Sequence, residues 1–242
     1  MIAAFAILIA SFVPSILLFG FLRNNRKDDE EYRKDCLRLV GSGFLISVLI
    51  FFADLLLMLL WRLSGLGGKN FVIDGLFKCF IVNALVEELS KFLVARKYIR
   101  KDLTKTSRLD ILSYLIISAI GFALVEDFVY AFGTNIGQII VRGLLMGHVP
   151  YAMITGYLYG KSIAVKKPWL KFAAFLAAIL LHGSYNFLLI DGLPDWSAFV
   201  VVTEVFLQTV YMIWMIFFIR KKRNDPEFTR PVFTDETANE EI

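Results

Sequence analysis

The sequence predicts an all-α fold: a polytopic membrane helix bundle with about seven transmembrane helices. Hydrophobic residues make up 57% of the 242, and mean hydropathy is +0.64. The apolar residues fall in blocks of about 20, the length a helix needs to cross ~30 Å of hydrocarbon. A soluble domain would instead spread its apolar residues at helix or strand period and keep a polar face. In lipid the backbone must satisfy its own polar groups, so these blocks read as helices.

The first span, roughly 2–22, has no basic residue before Arg23 and no clear small-residue cleavage site, so it reads as a retained helix rather than a leader. The second covers about 39–60, the third 71–95, the fourth 109–132, the fifth 138–160, the sixth 170–190 and the seventh 198–219. Arg23, Arg26, Lys27, Arg33, Lys34 and Arg38 precede the second span, and Arg96, Lys97, Arg100, Lys101, Lys105 and Arg108 precede the fourth. Lys161, Lys166, Lys167 and Lys171 follow the fifth, and Arg220, Lys221, Lys222 and Arg223 follow the seventh. The alternate linkers hold only Arg62 and Lys69. Basic residues mark the cytoplasmic side, which places the N-terminus outside and the C-terminus in the cytoplasm. Trp61, Trp169 and Trp196 stand near span ends, as interfacial aromatics do.

Residues 1–223 thus form one integral membrane helical domain. Residues 224–242, polar with two prolines and an acidic end, read as a disordered cytoplasmic tail. The net charge of +4 sits in the linkers, which argues for topology and against nucleic-acid binding. Cys36, in a charged linker, and Cys79, in an apolar block, make a poor disulfide pair.

An ionisable group at bilayer depth costs about 2.5–3.5 kcal/mol on insertion scales, so each one needs a reason. The third span carries Glu87, Glu88 and Lys91; the fourth carries Glu126 and Asp127, with Tyr130 one turn on. The fifth carries Arg142 and His148, and the sixth carries His182 with Asn186 one turn later. His148 and His182 are the two histidines of the chain, both near the middle of apolar spans. Glu87 and Lys91 could form a structural i,i+4 ion pair, but two adjacent carboxylates exceed what one lysine neutralises. Asp74 and Lys78 read as a mutually neutralising pair near the outer surface, while Asp54 and Glu204 have no motif around them.

Carboxylates and imidazoles on four helices can converge in a bundle, and two chemistries fit. Glu and His side chains could ligate Zn²⁺, which lowers the pKa of a bound water toward ~7. Alternatively a buried Glu takes a proton from water, a His supports it, and Asn186 with the other His stabilises the oxyanion. Both lead to peptide-bond hydrolysis. A proton or metal-cation transporter using the same groups is the rival function, and a non-catalytic scaffold is a second. No inverted repeat favours transport.

Glu87-Glu88-x-x-Lys91, Phe122-x-x-x-Glu126 followed by Asp127 and Tyr130, the lone His148, and His182-x-x-x-Asn186 resemble, in order, the motifs of PrsW-type intramembrane proteases. That family is similar to CAAX prenyl proteases and bacteriocin-processing enzymes, and the resemblance runs from about residue 80 to 190. It implies Glu87 or Glu88 as the water-activating carboxylate, with Glu126, His148 and His182 completing the site and Asn186 near the oxyanion. Lys91, Asp127 and Tyr130 would support it. A zinc-dependent version would use Glu88, Glu126, His148 and His182; the metal-free version is favoured, because the chain offers only two histidines and no cysteine near them. The partner implied is a membrane-anchored protein substrate, such as an anti-sigma factor. Asp127 stands where the family often has Asn. With straight helices and these span ends, Glu88 and Glu126 differ in height by roughly 15–20 Å, so a shared site requires tilt, shifted ends or a broken helix.

Overall fold

A computed structural model describes residues 12–101, 103–131, 147–190, 193–194 and 196–232. Among these the structure is helical, and the β contact is an isolated bridge between Ser107 and Pro231. The first half of the expected first span, the start of the fifth with Arg142, and the Tyr130 side chain lie outside the described residues.

Helix α1 (Val13–Arg23) opens the described chain. Helix α2 (Glu30–Leu63) starts where Asp29 accepts the Tyr32 N–H, with Glu30 and Glu31 in the first turn and Arg62 in the last, as the helix dipole favours. Helix α3 (Phe71–Leu76) is capped by Asn70, which accepts from the N–H groups of Val72 and Ile73. It runs straight into a π-helical segment, Phe77–Leu85, and then into α4 (Val86–Ile99). Helix α5 (Arg108–Ala131) follows, then α6 (Val149–Ala164), α7 (Trp169–Leu188), α8 (Trp196–Lys222) and the short α9 (Pro226–Thr229).

Among the described residues four helices are long and apolar enough to cross a membrane: α2, α5, α7 and α8. Helix α5 is the central post. Some 83% of its apolar window is buried against 17% for α2 and for α8, which face lipid. Ile111, Leu112, Leu115, Ile116, Ile117 and Phe122 give α5 its buried surface. Helix α2 lies directly on it: a methyl group on Gly121 would overlap the Val40 carbonyl, and one on Gly43 would meet the Ser118 carbonyl. Small residues allow such backbone contact between membrane helices.

Within the fifth span the described residues show a break: helix α6 begins at Val149, after Gly147 with φ +52°, so His148 flanks a helix start. Pro150 in the first turn is the physical reason, since proline fits the first turn of a helix and breaks its interior. Asp74 also departs from expectation. It accepts from Trp61 Nε1 (2.7 Å) and the Gly68 N–H (2.9 Å) instead of pairing with Lys78.

The basic linkers gather at one end. Lys101 bridges to Glu31 and Asp35, Arg26 reaches Asp110, and Arg223 donates to the Phe21 carbonyl. Within the stretch expected to be disordered, residues 225–232 pack onto the bundle, and 233–242 lie outside the described residues. Asp225 caps α9, Phe228 is buried, and the Val232 N–H donates to the Thr106 carbonyl. Phe228 is the anchor, an aromatic set among mostly polar residues.

Candidate active site

The site is built on the first turn of α4, the end of α5, the start of α6 and the middle of α7. Their relative height follows from one hydrogen bond: Ser118 Oγ donates to the Lys91 carbonyl (3.0 Å), so those residues stand level. At 1.5 Å per residue Glu88 then lies ~4.5 Å and Glu126 ~12 Å beyond that level. The gap is roughly 7 Å rather than 15–20 Å, short enough for side chains to bridge. It closes because α4 continues to Ile99, four residues past the expected end at 95.

Glu87, Glu88 and Lys91 are all buried. Lys91 Nζ lies 2.6 Å from Glu88 Oε1 and 4.0 Å from Glu87 Oε2, so the tight pair is i,i+3 with Glu88, not the expected i,i+4 with Glu87. Glu88 Oε1 also meets His182 Nδ1 at 2.9 Å. Glu88 is therefore held by a cation and an imidazole together. Glu87 is not: its Oε2 is buried with no hydrogen-bond partner, 3.8 Å from both His148 Nε2 and His182 Nε2. Those separations are too long for hydrogen bonds and leave room for one small bridging species.

His148 is buried where α6 begins. Its Nε2 lies 2.9 Å from Glu126 Oε2, and its Nδ1 is buried without a partner. The two imidazoles sit 4.9 Å apart at 68°. Tyr151 stacks flat on His182 (5.0 Å, 8°), and Phe122 meets the His148 ring edge-on while lying under Lys91 Nζ. The sequence reading passed over Tyr151, although its place three residues after His148 puts it on the same helix face.

Six of the expected site residues thus behave in two ways. Glu87, Glu88, Glu126, His148 and His182 meet directly. Asn186, half-buried one turn after His182, makes no side-chain hydrogen bond among the described residues. Of the supporting residues, Lys91 is central, whereas Asp127 is buried but turned about 100° round α5 from Glu126. Among the described residues one group of donor atoms clusters closely enough to hold a metal ion, and it shares His148 and His182 with the expected set. One atom each from Glu87, His148 and His182 fall within 4.8 Å of one another, and all three residues are buried. Glu88 Oε1 is instead engaged by Lys91 and His182, and Glu126 Oε2 by His148.

Two residues read as having no role turn inward. Asp54 Oδ1 on α2 is buried with no partner. Glu204 on α8 accepts from Ser184 Oγ and from Gln208 Nε2.

Residues 34–220 match the model of the PrsW family intramembrane metalloproteases. Curated relatives named Protease PrsW are similar to the chain. The chain is 28% identical over 193 residues to that of Halalkalibacterium halodurans, covering 77% of this chain and 84% of the relative. It is 25% identical over 209 residues to that of Bacillus subtilis, covering 84% and 91%. With that of Clostridioides difficile it shares 26% over 205 residues, covering 81% and 83%. No solved structure matches the chain.

Proposed function

The chain belongs to the PrsW family of intramembrane proteases, and we propose that it cuts a membrane-anchored protein inside the bilayer with a water activated by Glu87. The observation that carries this mechanism is the buried, unpartnered Glu87 Oε2 facing two imidazole nitrogens at 3.8 Å. The transporter alternative has no support among the relatives.

A water hydrogen-bonded at ~2.8 Å to Glu87 Oε2 also reaches His182 Nε2. Glu87 takes its proton as the oxygen attacks the scissile carbonyl, and later passes that proton to the leaving amine. Glu88 fixes the His182 tautomer by accepting at Nδ1, which leaves Nε2 turned toward Glu87. Glu126 orients the His148 ring through its contact at Nε2, and that ring with Asn186 serves the oxyanion. Glu88 stands ~17 Å along α4 from Ile99 at the basic end, near the middle of a ~30 Å hydrocarbon layer. The basic end faces the cytoplasm of a bacterial cell membrane in this proposal. The substrate class is a single-span protein such as an anti-sigma factor. The motif order also supports a wider kinship with CAAX prenyl proteases and bacteriocin-processing enzymes.

A second reading of the catalytic type rests on the donor set itself. Glu87, His148 and His182 offer one oxygen and two nitrogens within 4.8 Å, and Glu88 backs His182 as carboxylates back metal-bound histidines. These three residues would hold Zn²⁺, which when bound polarises the carbonyl and lowers the pKa of its water to ~7.

The test compares new protein N-termini in a null host expressing the wild type or Glu87→Gln. Termini inside a membrane segment should appear with the wild type and fall by about 10²–10⁴-fold with the variant. Equal termini in both strains at equal folded expression would overturn the proposal. Repeating the cut in detergent with a strong chelator decides the type: cleavage that persists is glutamic, and cleavage lost then restored by Zn²⁺ is metal-dependent.

A further inference from the structure

Helix α8 faces lipid along most of its length, with Phe199, Phe206 and Phe217 all exposed. Its buried side carries Met212, Met215 and Ile219, and with them one amide, Gln208. It is 94% buried, and its Nε2 donates to Glu204 Oε1 on the preceding turn (3.1 Å) and lies 3.4 Å from Tyr151 Oη. Turning the amide over would set its oxygen against the Glu204 carboxylate, so the Glu204 contact orients it, while the Tyr151 hydroxyl accommodates either end. That orientation leaves Gln208 Oε1 buried with no partner. Ser184 Oγ on α7 lies 3.3 Å from the same Glu204 oxygen. An acceptor so fixed and so lacking a donor is anomalous in a protein interior.

The proposed substrate supplies what this oxygen lacks. To expose one peptide bond, a transmembrane helix must unwind, and its freed N–H groups then need acceptors because lipid offers none. Gln208 reaches the catalytic centre through a single ring, since its partner Tyr151 stacks on His182 at 5.0 Å. From ring to hydroxyl to amide the path is roughly 10 Å, or about three residues of extended chain at ~3.3 Å each. We propose that Gln208 Oε1 is a substrate-anchoring acceptor that takes the backbone N–H of the unwound peptide about three residues from the scissile bond. This inference rests on the peptidase reading above. It assigns α8, and not only the four helices bearing the acidic and imidazole groups, to substrate binding.

The test uses the full-length chain in proteoliposomes and a synthetic single-span peptide carrying the cut mapped above. In this peptide each amide within five residues of the cut is replaced in turn by an ester, which removes one N–H and keeps the carbonyl. With the wild type, one ester about three residues from the cut should lower kcat/KM by about tenfold. With Gln208→Met, of similar shape, the all-amide peptide should lose about the same factor, chiefly in KM, and that ester should cost nothing further. The swap Glu204→Gln/Gln208→Glu keeps both the internal hydrogen bond and a free oxygen, so it should restore ester sensitivity and guards against misfolding of the single variant. An ester profile that is flat in the wild type, or identical in wild type and Gln208→Met, would overturn the anchor while leaving hydrolysis intact. No cleavage by the wild type would overturn the peptidase reading itself, and the anchor with it.

Discussion

Glu87 and Glu88 are neighbours in sequence with opposite circumstances. Glu88 is tied to Lys91 and His182, while Glu87 keeps an unpartnered oxygen. Removing one partner of a buried ion pair costs about 3–5 kcal/mol because the other charge is stranded. Glu88→Gln and Lys91→Met should therefore lower the Tm in detergent markedly. Glu87→Gln, which breaks no hydrogen bond, should leave Tm near the wild-type value and abolish cleavage. Equal losses of Tm for Glu87→Gln and Glu88→Gln would contradict this division of labour. Which residues meet was largely legible in the sequence, because charges and imidazoles are rare in apolar blocks and each had to be explained. Which carboxylate is the free one was not legible. It depends on a 2.6 Å contact at i,i+3 against 4.0 Å at i,i+4, a choice that helix spacing allows either way. Gln208 was missed because an uncharged amide in an apolar helix raises no alarm.

At the scale of elements, spans 39–60, 109–132, 170–190 and 198–219 were readable from length and hydropathy, and α2, α5, α7 and α8 contain or match them closely. The start of α6 at Val149 was not anticipated, although Gly147 and Pro150 carry the signal for it. The π-helical segment Phe77–Leu85 was not, since its widened turn depends on what packs against it. That neighbour is α7. A methyl group on Gly183 would overlap the Phe80 ring, one residue from His182. π turns are often found at functional sites, and this one ends two residues before Glu87. Gly183→Ala should consequently fold but lose most activity, as α7 shifts away and carries His182 off Glu88. Phe80→Ala in the same chain should recover much of that activity by removing the obstructing ring. Gly121→Ala meets the Val40 carbonyl, which cannot swing aside, so no single side-chain truncation should rescue its stability. Thermal unfolding and peptide cleavage on the single and double variants separate these cases. A Gly183→Ala enzyme with full activity would show that the π segment and α7 are not coupled.

Across the whole molecule, the segment Asp225–Val232 closes the basic end over the loop joining α4 to α5, the two helices that carry Glu87, Glu88 and Glu126. Its hold has a polar part and an apolar part. Arg108 Nη1 meets Glu227 at 2.6 Å, but Glu227 is 69% exposed, and pairs of that kind contribute about 1 kcal/mol or less. Phe228 is 5% exposed, packed under the Arg108 guanidinium at 4.0 Å and against Phe218. Truncating a buried phenylalanine costs about 3–5 kcal/mol. The ring, not the ion pair, should thus dominate. The Asp225 carboxyl is held below its ordinary range chiefly by hydrogen bonding with Lys222, and also by the Glu227 N–H. A depressed carboxyl contributes stability above its unfolded pKa of 3.8 and loses it as pH falls through its lower folded value. Between pH 5 and 8 the closure should therefore be insensitive to pH. Phe228→Ala should lower Tm by several degrees throughout that window, and Glu227→Gln by a small fraction of that shift. A Glu227→Gln loss as large as that of Phe228→Ala, shrinking in high salt, would instead make the closure electrostatic. The polar composition that made this segment look solvated would then have been its mode of attachment.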